Sequence, residues 1–415
     1  MIDKALLFRL FEESTGKYNK SLHKRAIFED AKKYLSYKEA LVLTGVRRCG
    51  KTSLMYALMQ HLDSHEPEAS KVYINFEDER LIGLEPKDME TFFEYYLEYA
   101  QPTNKVYFFL DEIQNIPAWE KVITRLYETY KFVLSGSNAN VLSSDLASAL
   151  TGRHKEIRVY PFRFAEFCDT KKTITREQVA AVRSNFEIYL QRGGFPESLL
   201  YNKTDLLQDY YKNILFKDVI GRHNIKYKDL LQKLSAFMFS NCSKQISFYA
   251  LEKRYDAGIN TIRNYVSYLE SSFLLESISI YSNSVKKQQG NPLKYYAVDI
   301  ALAQSVAFHF SEDVGRVLEN IIANELIARG NELYYHKAKG ECDFIVKKGI
   351  TVTEAIQVCH TLNDNNEKRE FTGLLEACKT YKLTKGIIIT NDQEKTIRVE
   401  DIEIIILPAW KWLLE

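Results

Sequence analysis

Residues 45–52 read GVRRCGKT and satisfy the spacing G-x-x-x-x-G-K-[ST], with Gly45, Gly50, Lys51 and Thr52 at the fixed positions. The glycines let the backbone curl so that its N–H groups can face phosphate oxygens, and a helix beginning there adds the positive end of its dipole. Lys51 would reach the β- and γ-phosphates, and the Thr52 hydroxyl would ligate Mg²⁺. Val46, Arg47, Arg48 and Cys49 between the fixed positions, with Ser53 just beyond, complete the cradle. The metal needs a second acidic site, and KVYFFLDEIQ (105–114) supplies Asp111 and Glu112 at the end of an apolar run. Asp111 would hold Mg²⁺ through water, and Glu112 would orient and deprotonate the attacking water. The chemistry implied is binding and hydrolysis of a nucleoside triphosphate.

Two later stretches could face the same phosphates. In SGSNAN (135–140), Ser137 or Asn138 could sense the γ-phosphate, although a plain polar turn explains the stretch equally well. In LTGRHKEI (150–157), Arg153 sits on a Gly-containing loop, from which an arginine can neutralise transition-state charge.

The elements that must position these groups are legible as periodicity. ALVLTG (40–45) reads as a buried strand, and TSLMYALMQHL (52–62) places Leu54, Leu58 and Leu62 on one helical face. Further apolar runs at 71–77, 105–111, 131–136 and 156–161 alternate with helical stretches. This pattern predicts an α/β fold with a doubly wound parallel sheet and the nucleotide at the carboxyl ends of its strands. Residues 1–38 read as a polar helical lead-in, and Gly193-Gly194-Phe195-Pro196 as a packing elbow between two helices.

Composition narrows the remaining possibilities. Hydrophobic residues make up 46% and charged residues 27%, with no apolar run long enough for a membrane span. The six cysteines (49, 168, 242, 342, 359, 378) lack C-x-x-C spacing and the N-terminus lacks a signal layout, so a cytoplasmic chain with reduced thiols is expected. His61 and His65 share a helix face without a nearby third ligand and read as surface histidines. The net charge is only +1, but residues 212–294 hold 13 Lys/Arg against 6 Asp/Glu. That basic segment suggests an anionic partner such as DNA, or simply a solvated face.

Residues 245–280 contain a helix, a turn at Gly258 and a second helix capped by Asn260. Ile262, Val266, Leu269 and Phe273 form its apolar face, and Thr261, Arg263, Asn264 and Ser267 its polar face. This is the layout of a helix-turn-helix, and the hairpin that follows, with Lys286-Lys287 at its tip, would make it a winged helix. Such a unit contacts either DNA or protein. Residues 315–415 read as an amphipathic helix (314–329), strands around ELYYHKA, ECDFIVKKG and VTEAIQVCH, a helix at 366–382, the strands GIIIT and IEIIIL, and a short terminal helix.

The order GVRRCGKTSL, LDEIQNIPAWE, LSGSNANVL, LTGRHKEIRVYPFRFAEF and GGFPE closely resembles a family of prokaryotic AAA-type P-loop ATPases with an uncharacterised C-terminal domain. The resemblance spans nearly the whole chain and is most specific over 41–167. It implies ATP and Mg²⁺ held by Lys51, Thr52, Asp111 and Glu112. It also implies a phosphate-facing Arg153, which in such proteins often acts in trans and would require a homo-oligomer. The domain organisation expected is a lead-in (1–38), the ATPase core (39–168), a helical connector (169–225), a winged helix (226–298) and a tail (299–415). The family's tail resembles a restriction-endonuclease-like α/β fold, in which an Asp and a later Glu-x-Lys share a metal site. Here Asp343 matches and Glu319 could serve as the helix acid, but Gln357 and Cys359 stand where that Glu and Lys belong, and Glu354 would point to the other face. The expectation is a degraded nuclease site on a nucleotide-driven switch or motor acting on DNA. The alternatives are a scaffold ATPase with protein partners and, third, an ATP-dependent nuclease with migrated catalytic groups.

Overall fold

The computed structural model describes residues 3–14, 16–139, 152–168, 175–307 and 314–415. Residues 140–142 and 150–151 of the sequence motifs, and 169–174 at the start of the expected connector, lie outside them. The chain divides into two compact units, residues 1–160 with 271–273, and residues 161–270 with 274–415.

The first unit is built on five strands: β1 (Ala40–Thr44), β2 (Ser70–Asn75), β3 (Val106–Asp111), β4 (Lys131–Gly136) and β5 (His154–Arg158). All pairings are parallel, in the order β2-β3-β4-β1-β5. Every residue of β1, β3 and β4 is buried, as a sheet covered on both faces requires. The helix Lys51–His65 buries Leu54, Leu58 and Leu62 as their spacing predicts, together with Met55 and Met59. The amino-terminal helix Lys4–Ser14 is more than a polar lead-in: Leu7, Leu10 and Phe11 are buried in the same apolar cluster as Phe92, Phe108 and Phe132.

The second unit carries a nine-stranded mixed sheet. Its strands are β6 (Lys244–Ile246), β7 (Leu275–Ile280), β8 (Leu293–Ala297), β9 (Glu332–Lys337), β10 (Glu341–Lys348), β11 (Thr351–Val358), β12 (Lys385–Thr390), β13 (Lys395–Val399) and β14 (Ile402–Pro408), in the order β13-β14-β12-β11-β10-β9-β7-β8-β6. The expected hairpin is present as antiparallel β7 and β8, with the exposed Lys286 and Lys287 on a short helix, Val285–Gly290, at its tip. The hairpin is not a free wing: β7 also pairs in parallel with β9, so one sheet runs through the expected segments 226–298 and 299–415. The edge strand β13 was not anticipated.

Before the hairpin come helices Phe248–Tyr255 and Ile259–Ser271. Ile262, Val266 and Leu269 are buried there and Arg263, Asn264 and Ser267 exposed, with Thr261 half-buried. Two details need correction. Asn260 lies inside the helix and cannot cap it, because the Gly258 carbonyl already accepts the first helical bond, from Ile262 N at 3.2 Å; and the helix ends at Ser271, so Phe273 is not part of its face. The Gly193-Gly194 elbow is held by a buried carboxylate. Gly193 has φ 68°, a Cβ there would lie 2.2 Å from Asp299 Oδ1, and the Gly194 N–H donates to Asp299 Oδ2 at 2.6 Å.

Candidate nucleotide site and a second carboxylate cluster

The loop 45–50 leaves the carboxyl end of β1, where a parallel sheet of this kind binds ligands. Gly45 has φ 143°, and a Cβ there would meet the Val159 carbonyl oxygen at 2.1 Å. Gly50 takes φ 104° at the start of the 15-residue helix Lys51–His65, whose first amides have no partner within the helix. The cradle therefore fits a phosphate chain. Val46 and Cys49 are buried, Arg48 and Ser53 are exposed, and Arg47 pairs with Glu77 at 2.7 Å.

The metal-side residues converge. Thr52 Oγ1 donates to Asp111 Oδ2 at 2.6 Å, Tyr73 Oη donates to the same oxygen at 2.7 Å, and Ser135 Oγ donates to Asp111 Oδ1. A hydroxyl and a carboxylate in contact at the foot of a phosphate cradle suit Mg²⁺, which uses few protein ligands and keeps several waters. Burial and the adjacent Glu112 carboxylate push Asp111 upward. Glu112 follows β3 in a left-handed conformation, φ 53°. Burial would raise its carboxyl, but Lys51, Arg47 and hydrogen bonds from Gln114 and Ser137 outweigh that and hold it below the usual range. Lys51 donates to the Gly45 and Val46 carbonyls at 2.9 and 3.2 Å, 3.8 Å from Glu112. Ser137 and Asn138 are fully buried at the end of β4, and Gln114 Nε2 reaches Ser137 Oγ at 3.4 Å.

Arg153 is not brought to this cluster. Its carbonyl accepts from Ala40 N at 2.9 Å, at the opposite end of β1 from the phosphate loop, and its guanidinium lies 5.4 Å from the Tyr127 ring centroid. At ~3.3 Å per residue, that edge is roughly 15 Å from the loop. Sequence reasoning also missed Arg25, which donates to the Cys49 and Tyr160 carbonyls at 3.0 and 2.7 Å and clamps the phosphate loop from outside the motif. No local pattern marks such a residue.

The second unit holds another set of carboxylates, two of them, Glu319 and Asp343, buried and the third, Glu341, partly exposed. Glu319 lies on the helix Val314–Ala328, and Glu341 and Asp343 lie two apart on β10, beside an irregularity in its pairing with β9. Between them sits Lys294 of β8, only 3% exposed. Its Nζ is 2.8 Å from Glu341, 3.0 Å from Asp343 and 3.2 Å from Glu319, and Tyr296 Oη donates to Glu319 at 2.9 Å. Burial works against the ammonium, but the carboxylates outweigh it and hold Lys294 well above the ordinary lysine range. Burial and the Asp343 charge push Glu319 up to about 8. Gln357 accepts from Asp343 N at 3.1 Å and donates to Glu370 at 2.6 Å, while burial pushes the Cys359 thiol up to about 12. Glu319, Glu341, Asp343, Gln357, Cys359 and Glu370 border a cavity of about 640 Å³. Lys294, Glu341 and Glu370 were not expected here. The shared face of Glu341 and Asp343 follows from their i, i+2 spacing, whereas the approach of Lys294 has no sequence signal. The DNA-contact candidates Thr261, Arg263, Asn264, Ser267, Lys286 and Lys287 lie on other elements of this unit, the helix Ile259–Ser271 and the hairpin tip.

Comparison with known proteins finds an AAA domain over the first unit's sheet. Residues 37–168 match the model of an AAA domain, and residues 183–313 and 314–412 match two domains of unknown function, DUF8612 and DUF4143. A Walker-type ATPase of Pyrococcus abyssi aligns over 74% of this chain and 96% of its own, at 13% identity and a TM-score of 0.42. An uncharacterised Haemophilus influenzae protein is 29% identical over 89% of this chain and 93% of its own. The uncharacterised Methanocaldococcus jannaschii protein MJ1544 is 33% identical over 100% of this chain and 96% of its own. No helix among the described residues is long and apolar enough to cross a membrane. With an AAA-type P-loop ATPase domain at 37–168 and that identity along its whole length, the chain belongs to the family of MJ1544.

Proposed function

We propose that the protein is a Mg²⁺-dependent ATPase that works as a nucleotide-driven switch or motor on DNA. Lys51 and the loop amides bind the phosphates, Thr52 and Asp111 hold Mg²⁺, Glu112 activates water, and Asn138 senses the γ-phosphate. The observation that carries the ATPase half is the meeting of Thr52 with Asp111 at the foot of the glycine cradle. Because Arg153 lies far from the cradle of its own chain, we assign it to the site of a neighbouring copy in a homo-oligomer.

The DNA half is supported by a groove of about 800 Å³ lined by Lys226, Lys228, Lys233, Tyr227 and Thr261, with Asp229 and Asp256. The exposed Arg263, Lys286 and Lys287 lie nearby in sequence on a helix-turn-helix and hairpin, read here as a winged helix. Duplex binding measured against salt, for wild type and for Arg263→Glu, Lys286→Glu and Lys287→Glu combined, tests this. Each phosphate contact removed should lower the slope of log K against log salt by ~0.9. Binding indifferent to salt and to all three changes would turn the reading toward a protein partner, which the exposed Phe216, Tyr227 and Tyr249 of the same unit would suit.

A further inference from the structure

A restriction-endonuclease-like tail would place a divalent metal between Glu319 and Asp343. The residues present do not fit one. Mg²⁺ demands oxygen ligands at ~2.0–2.1 Å and Ca²⁺ at ~2.3–2.6 Å, with further ligands to complete the shell. Among the described residues, no group of three or more His, Cys, Asp or Glu could hold a metal ion. Instead, three carboxylate oxygens converge on one point at 2.8, 3.0 and 3.2 Å, and the Lys294 nitrogen occupies that point. An ammonium is a compact charge with three donors; here it donates to Glu319 and Asp343 and forms an ion pair with Glu341. The remaining Asp343 oxygen accepts from Val358 N at 3.0 Å, and the amide of Gln357 is spent on Asp343 N and Glu370. Both groups already have protein partners of their own.

We propose that Lys294 is the tail's own tethered cation, which fills the convergence point of Glu319, Glu341 and Asp343 and keeps divalent metal out. The cavity beside it is consequently a polar recess that runs no metal-dependent phosphodiester chemistry. The lysine comes from β8, a strand of the hairpin, and the carboxylates from β10 and the helix Val314–Ala328. The same contacts that exclude metal therefore tie the hairpin to the tail. This inference is independent of whether the hairpin binds DNA.

The test is calorimetric titration of the nucleotide-free full chain with Mn²⁺, for wild type, Asp343→Asn, Lys294→Met and Lys294→Met/Asp343→Asn, alongside plasmid cleavage in Mn²⁺. Wild type and Asp343→Asn should give the same isotherm. Lys294→Met should gain one Mn²⁺ per chain, and the double variant should lose it. No variant should cut. A wild-type Mn²⁺ site abolished by Asp343→Asn would overturn the proposal, as would a folded Lys294→Met that binds no more Mn²⁺ than wild type. Wild-type cleavage that disappears in Lys294→Met would also overturn it, because the lysine would then be catalytic. Circular dichroism reports folding of Lys294→Met; if it does not fold, the comparison of wild type with Asp343→Asn decides alone.

Discussion

Each unit of this protein buries a lysine near acids, and the two lysines are held in opposite ways. Lys51 rests on two neutral carbonyls of its own loop, with its nearest described carboxylate, Glu112, 3.8 Å away. Lys294 is locked by three carboxylates within 3.2 Å. Carbonyl contacts are weak beside a triphosphate, so Lys51 is poised to exchange them for ligand. Two hydrogen bonds and an ion pair around a buried ammonium leave Lys294 little to gain by moving. A buried lysine beside acids can therefore await a ligand or replace one, and the partners at hydrogen-bonding distance distinguish the two.

The largest effects should come from the site that awaits its ligand. Lys51→Ala should abolish ATP binding or turnover, while Glu112→Gln should keep ATP and lose turnover by on the order of 10²–10⁴-fold, the usual worth of a positioned base. Steady-state hydrolysis and equilibrium nucleotide binding separate the two. Normal turnover in Glu112→Gln would remove the base from the mechanism and weaken the contrast with the tail. Neither change should cost much folding stability. The reverse holds for Lys294→Ala, which strands buried carboxylates and should destabilise the second unit by ~3–5 kcal/mol in denaturant unfolding while leaving nucleotide affinity unchanged.

The contrast also marks how far sequence reading reaches. The candidate nucleotide site was legible because its parts are local. Gly45, Gly50, Lys51 and Thr52 fall within eight residues, and Asp111 and Glu112 mark the end of a wholly buried strand. The five-stranded parallel sheet followed from alternating apolar runs and helices. The tail site was half legible. Asp343, Glu319 and the substitutions at Gln357 and Cys359 were found by motif, and the cation was missed because it arrives from β8, two strands removed from β9 in the sheet order. Periodicity tells which face a residue occupies, not which element lies opposite. The same limit hid Arg25, which reaches the phosphate loop across 24 residues of chain, and left the position of Arg153 open until the parallel register of β1 and β5 fixed its edge. The strand β13 escaped because two of its five residues, KTIRV, are charged and it lies on the sheet's edge.

Asp299 sharpens the comparison as a buried acid held by amides. Gly194 N and Leu302 N donate to it at 2.6 and 2.9 Å, yet burial outweighs them and pushes it up to about 6. The unfolded chain ionises this group near pH 4, while the folded chain resists until near pH 6. Its contribution to stability is therefore full below pH 4 and is lost as pH rises to 6, by about 3 kcal/mol for a shift of about two units. Unfolding midpoints of wild type and Asp299→Asn, measured from pH 4 to 7, should converge or cross in that direction. A difference between the two that does not change with pH would mean that the amides alone decide the ionisation.

The smallest effects should come from two tyrosines in matching places. Tyr73 donates to Asp111 at 2.7 Å and Tyr296 donates to Glu319 at 2.9 Å. Burial, with the neighbouring carboxylates, pushes both phenols far up, so each remains a donor across the physiological range. Replacing either with Phe removes one hydrogen bond to an acid and should cost ~1.5–3 kcal/mol. Mg²⁺ separates the two. Under the proposed function Thr52 and Asp111 would take Mg²⁺ as a partner, so Tyr73→Phe should alter the Mg²⁺ concentration that half-saturates ATP turnover. The Glu319 cluster already has its cation in Lys294, so Tyr296→Phe should show the same loss of unfolding free energy with and without Mg²⁺ and leave that half-saturation point unmoved. A Mg²⁺-dependent loss in Tyr296→Phe would mean that the tail cluster exchanges its lysine for metal, and the two sites would then differ only in degree.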